Sequence, residues 1–195
     1  MTISFLETYQ EFMNRINLFE KKELNFENEY FKGNPSISQK VGRDNTFNNF
    51  YGDTVVFALD DIVKGKLAEY VELLYQSAPE CFCERLVPHT FHVTLHDLSN
   101  GPVLRDVAEE LFENELRVID RLEEVQKQER ASIKMKSKYI FNMVDTSLVL
   151  GLYPADETEY RRLMNLYSIF DTVKKLNYPF TPHITLAYYN VHGFN

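Results

Sequence analysis

Two octets of closely similar sequence, 91 residues apart, constrain the fold of this chain more than any other feature. Residues 88–95 read PHTFHVTL, and residues 179–186 read PFTPHITL. An Asp-Thr pair precedes an apolar run upstream of each octet, at 53–54 and at 145–146. After each Asp-Thr pair the sequence fits a strand, then a helix, then a second strand that carries the His-x-Thr. The chain is therefore predicted to contain two copies of a strand–helix–strand unit, joined by a long acidic helix.

Hydrophobic periodicity predicts the other elements and the domain boundaries. The predicted elements are an amphipathic helix over 4–24, a long loop over 28–52, a strand over 54–59, a helix over 62–77, extended chain over 82–98, an acidic helix over 103–128, a hairpin over 133–141 and 146–153, a helix from Asp156 to about Lys175, and a strand over 182–189. We expect residues 1–52 to pack on a bilobal domain formed by 53–195, with lobes built around 53–98 and 131–190. The long loop is typical either of a binding lid or of a surface strap.

Composition and charge restrict the partners. The 195 residues include 44% hydrophobic and 26% charged side chains, which is typical of a globular protein. The net charge of −8 argues against binding to duplex DNA, because phosphate neutralisation needs a basic surface. A small nucleotide or an RNA end in a local basic pocket remains compatible with that charge. No apolar run approaches the length of a membrane span, so we expect no membrane partner. We also expect a monomer.

The N-terminus and the cysteines predict a cytoplasmic protein. Residues 1–7 carry neither a basic segment nor an apolar segment of the kind that begins a secretory signal. The two cysteines, Cys81 and Cys83, lie too close in sequence to favour a disulfide. We therefore interpret them as reduced thiols.

The His-x-Thr spacing indicates a specific chemistry. Residues two apart on a strand share a face, so His92 and Thr94 point together, as do His183 and Thr185. If the two units are related by a pseudo-two-fold axis, both pairs face one cleft. Two imidazoles can serve there as acid and base on opposite sides of a phosphodiester, and the threonine hydroxyls can donate hydrogen bonds to its oxygens. This arrangement requires no metal and no cofactor.

The paired motifs resemble those of the 2H phosphoesterase superfamily, which includes 2′-5′ RNA ligase-like proteins and RNA cyclic phosphodiesterases. The resemblance covers about residues 53–190, and His92-Val-Thr94-Leu and His183-Ile-Thr185-Leu fit the family pattern without substitution. It implies an α+β fold of two pseudo-symmetric lobes, with antiparallel sheets forming a central groove and helices on the outside. It also implies metal-independent hydrolysis of 2′,3′-cyclic or 2′-5′-linked phosphates. The helix and loop of residues 1–52 lie outside the minimal family core.

Four further residues are candidates for substrate binding. Continued alternation places His96 on the face of His92, as a residue of the rim, and Tyr189 on the face of His183, where it could stack on a base or pack against a loop. Lys136 belongs to an alternating run of lysines, at 134, 136 and 138, that would either line the groove or cover a solvated sheet face. Arg43 in the long loop could clamp a phosphate.

Two alternatives remain open from the sequence. The first is a nucleotide- or RNA-binding module that keeps the same groove without turnover. The second is a zinc hydrolase, because His89, His92 and His96 are close in sequence, although strand alternation turns His89 away from the other two. The sequence does not specify which phosphodiester is the substrate, nor which histidine is the acid and which the base.

Overall fold

The computed structural model describes residues 7–20, 30–127 and 132–194. The elements in chain order are α1 (Tyr9–Asn17), β1 (Tyr51–Ala58), α2 (Asp61–Ser77), β2 (His92–Gly101), α3 (Leu104–Gln126), β3 (Met135–Met143), β4 (Ser147–Pro154), α4 (Glu157–Asp171) and β5 (His183–Tyr188). Parts of the helix predicted over 4–24, the loop predicted over 28–52 and the helix predicted over 103–128 lie outside the described residues. The first strand begins three residues earlier than predicted.

In the part of the chain that the structure describes, two small antiparallel sheets and four helices form an α+β fold. Strands β1 and β2 form one sheet, and β3, β4 and β5 form the other in that order. Each predicted strand–helix–strand unit is present, as β1–α2–β2 and as β4–α4–β5, and the two strands of each unit pair with each other. Strands β2 and β5, which carry the two His-x-Thr sequences, contact each other across the two sheets.

Local sequence accounts for the starts of three helices and for the hairpin turn. The side chains of Thr8, Asp60 and Asp156 accept hydrogen bonds from the first turns of α1, α2 and α4. Val144 and Asp145 both have positive φ angles, of 45° and 58°, between β3 and β4. Two consecutive residues of this kind form the tight turn whose twist matches that of an antiparallel hairpin.

An extra residue interrupts the pairing immediately after each His-x-Thr. Val55 and Val56 of β1 pair with His96 and Thr94, which leaves Leu95 unmatched. In the other sheet Leu186 is unmatched in the same way, between the partners of Leu148 and Val149. Each bulge reverses the alternation of the residues that follow it. The repeat therefore includes a matched irregularity that periodicity alone does not predict.

The core consists of two clusters that support the strands carrying the histidines. One cluster contains the buried face of α2 with Phe91, Val93, Ile184 and Leu186. The other packs α1 and α4 around Leu95. Val93 and Ile184, which lie between the His and the Thr of each motif, pack into the core on the opposite face of their strands. This packing fixes the direction of the His and Thr side chains.

The segment 30–50 is pinned to the rest of the chain at several points. Phe31 pairs with Phe194, and the backbone N–H of Asn34 donates to the Asp145 carbonyl at 2.8 Å. Within the segment, the N–H of Asn48 donates to the carbonyl of Lys40 at 2.9 Å. These bonds give the segment a defined path next to the hairpin turn.

Strand β2 differs from the sequence prediction at both ends. The stretch predicted as extended from 82 becomes a strand only at His92, because Pro88 begins a short 3₁₀ turn immediately before it. Strand β2 then continues to Gly101, three residues beyond the end of the stretch predicted as extended. None of the described helices has the combination of length and apolar character that crossing a membrane demands.

Candidate active site

The four residues of the two His-x-Thr pairs line one cavity of about 370 Å³. His92 and Thr94 come from β2, and His183 and Thr185 come from β5. The cavity is completed by Lys40, Phe50, Gly52, Thr54, Leu86, Thr90, Phe91, Asp97, Asn100 and Tyr188. Residues of both sheets and of the 30–50 segment therefore surround the histidines.

The two histidines are oriented in the same way. Nδ1 of His92 lies 2.7 Å from the carbonyl oxygen of Thr90, and Nδ1 of His183 lies 2.7 Å from that of Thr181. A carbonyl oxygen only accepts, so each Nδ1 carries the proton. In the neutral rings Nε2 is then the atom with a free lone pair. Each ring is therefore held in the tautomer that leaves Nε2 available for proton transfer.

The surroundings of the two rings differ. His92 is exposed, whereas His183 is half-buried. Burial lowers the pKa of His183, and the nearby positive charge of His92 acts in the same direction. The hydrogen bond to the Thr181 carbonyl and the negative charge of Asp97 oppose this shift. The net effect is a lowered pKa, which favours the neutral form of the His183 ring.

The bulges change which residues reach the cavity, and they correct the positions expected for His96 and Tyr189. After Leu95 the alternation reverses, so His96 is buried against Tyr167 and Asp97 lines the cavity. After Leu186 the same reversal buries Tyr189 against Phe82, and Tyr188 lines the cavity in its place. Asp97 and Tyr188 are, like the histidines, 91 residues apart.

The lysine in the wall of the histidine cavity is neither of the two cations that the sequence predicted there. Lys136 is an exposed residue on β3 whose ammonium donates to the carbonyl of Ala155, and it does not line the histidine cavity. Arg43 lines a different cavity, with His192. Lys40, three residues before Arg43, lines the histidine cavity instead. No sequence pattern identified Lys40, because the conformation of an irregular loop has no period to follow.

A larger, mainly apolar cavity of about 590 Å³ adjoins the first and shares His183, Thr94, Thr185 and Tyr188 with it. Its other walls include Phe180 and Tyr178. The hydroxyl of Tyr178 donates to the Asp97 carboxylate at 2.9 Å. This cavity can take a flat apolar group bonded to a phosphate at the histidines.

The three histidines considered for zinc do not converge. His92 reaches the cavity, His96 is buried on the other side of β2, and His89 is exposed on the preceding turn. Within residues 7–20, 30–127 and 132–194, no three His, Cys, Asp or Glu side chains are grouped closely enough to hold a metal ion. Cys81 and Cys83 are free thiols, and burial raises the pKa of both.

Comparison with known proteins finds a solved structure with a similar fold, but it does not assign the chain to a family. No protein-family model matches the chain, and no curated protein matches it. The structure is similar to the crystal structure of a conserved protein of unknown function from Agrobacterium tumefaciens, with a TM-score of 0.61 and 12% sequence identity. The match covers 83% of this chain and 72% of that chain. At this identity the similarity establishes only that the two chains share a fold.

Proposed function

We propose that this protein is a metal-independent phosphodiesterase that acts on 2′,3′-cyclic or 2′-5′-linked phosphates of nucleotides or RNA ends. The observation that carries the proposal is the matched orientation of His92 and His183 on one cavity, each with Nδ1 bonded to a carbonyl two residues earlier. In this proposal the two sheets are the pseudo-symmetric lobes of a central groove. The resemblance of both motifs to the 2H phosphoesterases supports the same reaction.

We assign the roles of the two rings from their different environments. Burial lowers the pKa of His183, which favours the neutral ring, and in this proposal that ring accepts a proton from the attacking water as the water oxygen bonds to phosphorus. His92 donates a proton to the leaving ribose oxygen as the P–O bond breaks. One proton is thus gained by His183 and one lost by His92, and exchange with solvent restores both rings. Each proton transfer contributes about 10²–10⁴-fold.

Thr94 and Thr185 complete the phosphate site. Each hydroxyl lies two residues after its histidine, on the same strand and in the same cavity. Among the described residues, neither hydroxyl takes part in a side-chain hydrogen bond. The hydroxyls of the nearby Thr90, Thr146 and Thr181 do take part in such bonds. Both are therefore free to donate to the non-bridging oxygens, where negative charge develops.

The test is hydrolysis of a panel of 2′,3′-cyclic and 2′-5′-linked nucleotides in excess EDTA. His92→Ala and His183→Ala are each expected to reduce kcat at least 100-fold. His89→Ala is the matched control, because this exposed histidine lies in the same octet and outside the cavity. Its activity should stay within twofold of wild type.

Three outcomes would contradict the proposal in different ways. Loss of activity in EDTA would indicate a metal-dependent hydrolase. Full activity of both histidine variants would exclude the acid–base pair. Tight nucleotide binding without turnover on any substrate would favour the non-catalytic binding module.

A further inference from the structure

A smaller cavity of about 250 Å³ adjoins the histidine cavity on the side of the 30–50 segment. The two cavities share Lys40, Phe50, Asn100 and Tyr188. The walls that belong to the smaller cavity are Ser36, Ile37, Gln39 and Thr146. Its volume lies below the 300–1,000 Å³ of a typical small-molecule site, so it suits a substituent of a substrate rather than a whole nucleoside.

Lys40 gives this smaller cavity a positive charge. Its Nζ lies 4.8 Å from the ring centroid of Phe50 and 5.4 Å from that of Tyr188. Among the described residues no carboxylate forms an ion pair with it, and the smaller cavity has no Asp or Glu in its wall. Two aromatic faces hold the ammonium in place, and its charge is not cancelled by a neighbour.

The polar side chains around Lys40 also have unused hydrogen-bonding capacity. Ser36 uses only its backbone N–H in the described hydrogen bonds, and the side chains of Gln39 and Asn100 take part in none of them. A hydroxyl and two amides can all donate to an anionic oxygen. The cavity thus combines an unpaired cation with three neutral donors, which is the chemistry that binds a phosphate.

We propose that this cavity, the Lys40 subsite, binds a second phosphate group of the substrate while the scissile phosphate lies at the histidines. The proposal rests on the proposed function and narrows its substrate class to nucleotides that carry two phosphates. It also assigns the 30–50 segment to substrate binding. A mononucleotide with one cyclic phosphate would leave the subsite empty.

Affinity for product-like ligands tests the subsite without turnover. We would measure binding of adenosine 2′-monophosphate and adenosine 2′,5′-bisphosphate by calorimetry, in EDTA and at fixed ionic strength. Wild type should bind the bisphosphate at least about tenfold more tightly, since hydrogen bonds to charged groups supply this much. Lys40→Gln should lose most of that preference, and Lys40→Arg should keep it.

Arg43→Gln is the matched control. It removes a cation from the same segment, but Arg43 lines the separate cavity with His192, so the preference should survive. Equal affinity of wild type for the two ligands would overturn the proposal, whatever the folding of the variants. A preference unchanged in Lys40→Gln would overturn it as well.

The two proposals fail separately. Hydrolysis of cyclic mononucleotides with equal affinity for the two ligands would keep the phosphodiesterase and exclude the subsite. A Lys40-dependent preference without hydrolysis of any diester would keep the subsite and exclude the enzyme.

Discussion

Asp97 places a negative charge in the wall of a cavity that is proposed to bind phosphate. Its carboxylate raises the pKa of His183 and so partly offsets the effect of burial. Tyr178 donates to one carboxylate oxygen and holds the group in position. Asp97 therefore adjusts the basicity of His183, and the balance of burial and charge decides whether that ring is neutral at a given pH.

Asp97→Asn should lower the pKa of His183 further, because it removes a charge that stabilises the imidazolium. The pKa can be measured directly by NMR titration of the imidazole carbons in the wild type and the variant. Asp106→Asn makes the same charge change on an exposed α3 residue and should leave the titration unaltered. If His183 is the base, the acid limb of kcat/KM moves to lower pH in Asp97→Asn. An unchanged or raised pKa would contradict the assigned effect of Asp97.

Strand alternation in the sequence predicts the shared face of each His-x-Thr pair, but it does not predict which of the following residues line the cavity. His92, Thr94, His183 and Thr185 precede the bulges, so simple alternation places them correctly on one face of each strand. Asp97 and Tyr188 follow the bulges, where alternation assigns the wrong residue. The 91-residue offset still relates Asp97 to Tyr188, and it is the one signal in the sequence that links the two.

Among the elements, the strand bulges have the largest effect on the site. An extra residue at Leu95 and Leu186 keeps each leucine in the core and turns the following residues by one position. Such bulges redirect side chains near functional sites. The hairpin followed from periodicity, the two strand–helix–strand units from the internal repeat, and the α+β class from the family resemblance. A one-residue irregularity leaves no periodic trace.

The bulge in β5 predicts opposite behaviour for two adjacent tyrosines. Tyr189 is 6% exposed and packs against Phe31, Phe82 and Phe194, so Tyr189→Ala should lower the free energy of unfolding by about 3–5 kcal/mol. Tyr188→Ala should cost less than half as much and should weaken nucleotide binding. Chemical denaturation and calorimetry measure the two effects. A larger stability loss at Tyr188 would contradict the register.

The β3–β4 turn stores strain at Val144. This residue is 67% exposed and has a φ of 45°, a conformation that is unfavourable for a β-branched side chain. Val144→Asn should therefore stabilise the protein by about 1 kcal/mol, or about 2–4 °C in Tm. Val144→Ala tests whether loss of exposed apolar surface, rather than relief of the turn strain, causes the stabilisation. It should raise the Tm by less than Val144→Asn does. A lower Tm for Val144→Asn would contradict the turn geometry.

Across the whole molecule, the N-terminal helix reaches the residues that orient His183. Arg15 of α1 donates to the Thr181 hydroxyl at 2.9 Å and to the Phe180 carbonyl at 2.8 Å, and it forms an ion pair with Glu7. Thr181 is also the residue whose carbonyl holds Nδ1 of His183. A helix outside the repeated units thus supports one histidine. Among the described hydrogen bonds, no arginine donates to Thr90, the corresponding residue before His92, whose hydroxyl donates to the Val87 carbonyl instead.

Arg15→Ala should therefore reduce both stability and turnover. Losing charged hydrogen bonds at a half-buried site should cost about 2 kcal/mol. If Arg15 positions the Thr181 carbonyl, kcat should fall by about tenfold or more with little change in KM, measured well below the Tm, because misplacement of a proton-transfer group affects the transition state. Arg161→Ala, which breaks an exposed ion pair with Glu157, is the matched control and should change neither. A stability loss with unchanged kcat would mean that α1 supports the fold without orienting His183, and the catalytic geometry would then depend on the two repeated units alone.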